Sequence, residues 1–239
     1  MARSAPDGYT LVIVDTAFTT NPSLYPSLPY DPLEDFAPVS LLAAAPVILV
    51  VHPSVPARNA KEFVALARMK PGHLNIASGA IGSSTHLGSE LLKSAARIDV
   101  VNIPYKGTGQ AISDVLGGQV GAIFAGVSTV RQHVEAGRLR AIAVTGEERV
   151  KAVPGVPKFI ESGLRGVDSG TYWGVLAPAS TPRDIVARLN AALVATIRST
   201  DIRPKLEDRG YTVIGSTPKQ FADNIRSEIV KEAGIKLEN

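Results

Sequence analysis

Three segments of this chain repeat one arrangement: a short aliphatic run, a loop of glycine and hydroxyl residues, then a helix-like pattern. Residues 74–77 precede Ser78-Gly79-Ala80-Ile81-Gly82-Ser83-Ser84-Thr85-His86, and residues 100–103 precede Pro104-Tyr105-Lys106-Gly107-Thr108-Gly109. Residues 120–124 precede Ala125-Gly126-Val127-Ser128-Thr129. Strand, loop and helix in succession predict an α/β architecture with largely parallel sheets, because parallel neighbours need a crossover of helix length. In such a sheet the loops gather at the carboxyl edge of the strands, where ligands bind. Each helix start there presents N–H groups with no carbonyl partner, a setting that favours an anion.

The remaining chain fits the same plan. Residues 9–14 read as a strand, and the polar stretch and four prolines after it (Pro22, Pro26, Pro29, Pro32) predict an extended segment rather than a sustained helix. Val47-Ile48-Leu49-Val50-Val51 is apolar throughout, the pattern of a strand buried on both faces. Asn59 and Glu62 have capping-box spacing for a helix through Met69 that Pro71-Gly72 ends. Residues 139–144 and 172–178 are further strands. Thr181-Pro182-Arg183-Asp184 opens a helix running to about Ser199, and a last helix starts near Thr217-Pro218. The strands at 47–51 and 172–178 flank the central repeats and are natural crossings between two lobes, predicted as 1–51 with 177–239 and as 52–176.

Composition removes several classes of function. Lysine and arginine exceed aspartate and glutamate by 25 to 22, and the basic residues are scattered singly, which argues against nucleic acid as a partner. The chain has no cysteine, so disulfides and thiolate metal sites are ruled out, and the compartment is left open. The longest strongly apolar stretch, 41–51, contains Pro46 and is far shorter than the roughly 20 residues a membrane helix needs. His52, His73 and His133 share no metal-ligand spacing, so no metal or other cofactor is expected. Lys106 lacks the order of a phosphate-loop lysine. Ser84 and His86, with Asp99 or Asp114, could suggest a hydrolase, but no G-x-S-x-G elbow is present and no enzyme is expected.

Strings along nearly the whole chain carry a resemblance. They include Pro6-Asp7-Gly8-Tyr9-Thr10-Leu11, Asn21-Pro22-Ser23-Leu24-Tyr25-Pro26, Leu28-Pro29-Tyr30-Asp31-Pro32, Asp35-Phe36-Ala37-Pro38-Val39 and His52-Pro53-Ser54-Val55-Pro56. Gly82-Ser83-Ser84-Thr85-His86-Leu87, Val101-Asn102-Ile103-Pro104-Tyr105-Lys106-Gly107 and Leu116-Gly117-Gly118-Gln119-Val120 continue them in order. The chain resembles the periplasmic solute-binding receptors of tripartite tricarboxylate transporters, the Bug family. That resemblance implies a two-lobed fold of the type II periplasmic binding-protein class, closing by a hinge over a di- or tricarboxylate or an aromatic acid and delivering it to a membrane permease. It also implies a periplasmic location.

In the family a ligand carboxylate is held by loop N–H groups and hydroxyls. Carried onto this sequence, these are Ser78, Gly79, Ser83, Ser84 and Thr85 at the first loop, Ala125, Gly126 and Ser128 at the third, and Thr16 and Thr19 from the opposite lobe. Ala125 stands where many relatives carry an aspartate that pairs with a ligand ammonium, which disfavours an amino-acid ligand. Relative to the family pattern, the chain is expected to be amino-terminally truncated, with the signal peptide and the first strand–helix unit missing. The alternative expectation is therefore a homo-oligomeric interaction protein that no longer carries solute.

Overall fold

The computed structural model describes residues 1–233. Among the described residues the chain divides into two compact units: Met1–Ala44 with residues 172–233, and Ala45–Thr171. It passes from one unit to the other within two strands, β2 (Phe36–Val51) and β7 (Gly170–Pro178).

In the first unit, β1 (Val12–Val14) pairs antiparallel with β7, and β7 lies between β1 and β2. The short strand β8 (Thr212–Val213) pairs antiparallel with β2 at Ala43 and Ala44. The helices here are α1 (Ala17–Leu24), α6 (Arg183–Ile197), α7 (Arg203–Glu207) and α8 (Pro218–Ala233). Phe18, Leu41, Tyr172, Leu176, Phe221 and Ile225 form one apolar cluster; Val39, Val175, Ala177 and Val186 form another. Gly174 is required by this packing, because a Cβ there would collide with the Cζ edge of the Phe221 ring.

Helix α1 departs from the extended segment expected before the prolines. The Asp15 side chain accepts from the Ala17 N–H at 3.0 Å and closes the first turn, and Phe18, Thr19 and Thr20 are buried as α1 packs on α8. Pro22 lies inside the helix but forfeits only one bond near its end, so tertiary burial outweighs the sequence preference. On the facing helix Glu232 is 1% exposed, and neither carboxyl oxygen has a hydrogen-bond partner. The nearby Thr19 and Thr20 hydroxyls oppose its neutralisation, yet both donate to the Thr16 carbonyl at 3.0 Å. Burial dominates and raises the Glu232 carboxyl from its ordinary 4.5 to about 7, with Glu228 adding to the shift.

The second unit holds α2 (Ala60–Met69), β3 (Asn75–Ser78), α3 (Ser84–Ala96), β4 (Val101–Pro104), α4 (Thr108–Leu116), β5 (Ala122–Gly126), α5 (Val127–Glu135) and β6 (Arg140–Val144). Its sheet runs β6, β2, β5, β3, β4. Val47, Leu49 and Val51 enter one apolar cluster and Ile48 and Val50 the other, so β2 is buried on both faces as its unbroken apolar run predicts. The Asn59 side chain accepts from the Glu62 N–H at 2.9 Å and starts α2, and Gly72 takes a positive φ just beyond its end. The sequence predicts largely parallel sheets; parallel pairing joins β4, β3 and β5, whereas β2 pairs antiparallel with β5, β6 and β8. Helix α6 begins at Arg183, and the Thr181 hydroxyl is buried without a partner instead of capping it. Among the described residues no helix is long and apolar enough to cross a membrane.

Candidate functional site

The parallel trio β4–β3–β5 sets three loops at one edge. Ser78 pairs with Pro104, and Ile76 and Ala77 pair with Ala122 and Ile123. Extending that register by two residues puts Gly79 beside Ala125, one strand spacing of about 4.8 Å away. The turn after β3, the turn after β4 and the turn after β5 therefore share the carboxyl edge of the second unit.

The first turn is folded on itself by its own hydroxyls. The Gly79 N–H donates to the Thr85 hydroxyl at 2.8 Å, and the Ser83 and Thr85 hydroxyls are 2.9 Å apart. A Cβ at position 79 would stand 3.2 Å from both oxygens, so glycine lets the loop close this tightly. Gly82 turns the chain with a φ of 82°, and the Ser83 hydroxyl then accepts from the His86 N–H at 3.4 Å as the cap of α3. Ser78 is fully buried and donates to the Gly79 carbonyl at 3.3 Å. Ser84 and Thr85 open α3, where helix geometry gives their N–H groups no carbonyl to bond.

His86 is 1% exposed, and its Nδ1 accepts from the Gly82 N–H at 3.3 Å. That bond leaves the proton on Nε2, which faces Glu90 at 4.0 Å. Burial first, and then the charge of Lys93, lower its pKa from 6.5, so the imidazole is neutral near pH 7. The Ser84 hydroxyl lies 2.5 Å from that of Thr171, so Ser84 and His86 do not form a nucleophile–base pair.

At the third turn, Ala125 is buried opposite Ile48, and Gly126 lies opposite Val47 and caps α5. The Thr129 hydroxyl donates to the Gly126 carbonyl at 2.7 Å, while Ser128 is exposed in the first turn of α5. Eight of the residues singled out from the sequence, Ser78, Gly79, Ser83, Ser84, Thr85, Ala125, Gly126 and Ser128, thus belong to one sheet edge.

Thr16 and Thr19 belong to the first unit. The Thr16 hydroxyl accepts from the Tyr172 N–H at 3.3 Å, and the Tyr172 hydroxyl donates to that of Thr19 at 3.1 Å. Sequence reasoning missed Thr145, Ser169 and Thr171, isolated residues whose partners lie 24 to 98 positions away. Among the described residues no group of three or more histidine or acidic side chains could hold a metal ion.

A family model described as "Tripartite tricarboxylate transporter family receptor" matches residues 1–238. A UPF0065 protein from the tcbD–tcbE intergenic region of Pseudomonas sp. strain P51 is 37% identical over 229 residues, covering 95% of this chain and 68% of its own length. MatC from Rhodopseudomonas palustris, solved with bound malate, superposes with a TM-score of 0.88 at 32% identity, covering 97% of this chain and 80% of that one. A second R. palustris protein, solved with adipate, gives 0.90 at 31% identity, covering 98% and 81%.

Proposed function

We propose, on the premise that this chain belongs to the tripartite tricarboxylate transporter receptor family, that it captures a linear dicarboxylate of four to six carbons at the carboxyl edge of β4–β3–β5. The family consists of periplasmic receptors working with a membrane transporter, and its members are not enzymes. The observation that carries the reading is the gathering of two donor-rich turns at one sheet edge. Ser78, Gly79, Ser83, Ser84 and Thr85 form one set of groups for a carboxylate, and Ala125, Gly126 and Ser128 the other. The neighbours' malate and adipate set the proposed length range.

A single helix terminus contributes about 0.3–2 kcal/mol toward an anion, whereas micromolar affinity needs about 8 kcal/mol. Several donors must therefore act together, which supports closure of the two units as part of the mechanism. The bending points would be the two passages of the chain between them, in β2 and β7. Thr16 and Thr19 are that unit's residues in the proposal, acting by holding Tyr172 just after β7 enters the first unit, since both are buried and the Thr19 hydroxyl already donates to the Thr16 carbonyl. Delivery to a membrane permease from the periplasm completes it.

Titration calorimetry with malate, succinate, glutarate, adipate and benzoate tests the ligand. Binding of a linear dicarboxylate without binding of benzoate is expected, and no heat with any of the linear acids would reject the reading. Small-angle scattering tests closure, which requires a smaller radius of gyration at saturating ligand.

A further inference from the structure

Behind the two donor-rich turns runs a set of buried and half-buried hydroxyls that the carboxylate reading leaves without a role. The Ser169 hydroxyl donates to the Ser84 carbonyl at 2.6 Å, while the Thr171 hydroxyl meets that of Ser84. The Ser169 carbonyl in turn accepts from the Thr145 hydroxyl. Thr145 is fully buried where β6 ends, and its hydroxyl accepts from the Val47 N–H at 3.0 Å and reaches the Val47 carbonyl at 3.1 Å. Val47 lies opposite Gly126 in the β2–β5 ladder. The first residue of α3 is thus tied by hydrogen bonds through Ser169 and Thr145 to Val47, the residue that stands opposite the turn after β5 in the ladder, all inside the second unit.

We infer that Ser169, Thr171 and Thr145 are positioning residues: a hydroxyl brace that fixes the N-terminal amides of α3 relative to the β5–α5 turn. Two donor sets can grip one small anion only if their separation is held, and a side chain such as Ser84 otherwise rotates freely about χ1. The brace holds Ser84 from both sides, its carbonyl by Ser169 and its hydroxyl by Thr171. The Ser84 main-chain N–H, rather than its occupied hydroxyl, is then the group presented at the edge. Residues 169–171 also lead directly into the passage between the units at Tyr172, so the brace and that strand share one backbone segment.

The inference rests on the carboxylate reading for its consequence, and its test separates the two. Ser169→Ala removes one hydroxyl donor from a carbonyl that the helix ladder also engages, so the fold should persist. The variant is expected to bind the preferred dicarboxylate about five- to ten-fold more weakly, the equivalent of one hydrogen bond. Hydrogen exchange in the ligand-free variant should accelerate at the Ser84 and Thr85 amides while the interior of α3 and the melting temperature are unchanged. Thr171→Val, which removes the hydroxyl at nearly constant volume, should reproduce the effect, and Thr171→Ser should restore both affinity and slow exchange. Unchanged affinity and exchange in Ser169→Ala and Thr171→Val would overturn the inference. If the parent protein binds none of the acids, the receptor reading fails, and the brace is judged by exchange alone: acceleration confined to Ser84 and Thr85 supports it, no acceleration overturns it.

Discussion

Glu232 makes the first unit's stability depend on pH in a direction opposite to that of most paired carboxylates. Its oxygens are buried on α8 against α1 without a donor, and the folded carboxyl titrates at about 7 instead of 4.5. Between those values the folded state holds a proton that the unfolded chain releases. Stability from this group is therefore full below pH 4.5 and is lost as pH rises through 7. At about 1.4 kcal/mol for each pH unit, the interval corresponds to about 3 kcal/mol. Glu232→Gln keeps the shape and cannot ionise, so it should match the parent at pH 4.5 and exceed it by about 3 kcal/mol at pH 9. Urea unfolding of both proteins across that range, followed by fluorescence of Trp173 in the first unit, measures the difference. Parallel profiles for parent and variant would refute the reasoning, because the carboxyl would then titrate alike in the folded and unfolded chain.

Other consequences are equally direct. His86 in the second unit has a lowered folded pKa, so its contribution is present above pH 6.5 and is lost as pH falls further; His86→Phe should flatten unfolding curves measured by exchange in α3 between pH 7 and 5. Gly174→Ala drives a methyl group against the Cζ edge of the Phe221 ring and should cost about 1–3 kcal/mol by thermal unfolding, with Phe221→Leu in the same chain recovering much of the loss. Ser84→Asp puts a carboxylate in place of the Ser84 hydroxyl, beside the α3 amides that the reading gives to the ligand, and calorimetry should find affinity reduced by about a hundred-fold or more.

Local chemistry determined a good part of this protein from sequence alone. The cap at Asn59 depends on a side chain three residues from its partner, and the burial of Val47 to Val51 on both faces follows from an unbroken apolar run. The three strand–loop–helix repeats likewise implied a shared loop edge, since a parallel β4–β3–β5 arrangement puts every turn after a strand on the same side. Tertiary structure decided what depends on distant partners. Prolines predict an extended chain after Asp15, yet burial of Phe18, Thr19 and Thr20 against α8 makes Ala17–Leu24 a helix. The unpaired state of Glu232 arises from that same packing, and nothing in its neighbouring residues signals it. Ser84 reads as one more hydroxyl at a helix start, but its partners Ser169 and Thr171 are 85 and 87 positions away. Capping and periodicity act over a few residues and are written in neighbouring letters. Which hydroxyl meets which, and which carboxyl is left dry, follows from segments that become neighbours only when the chain has folded.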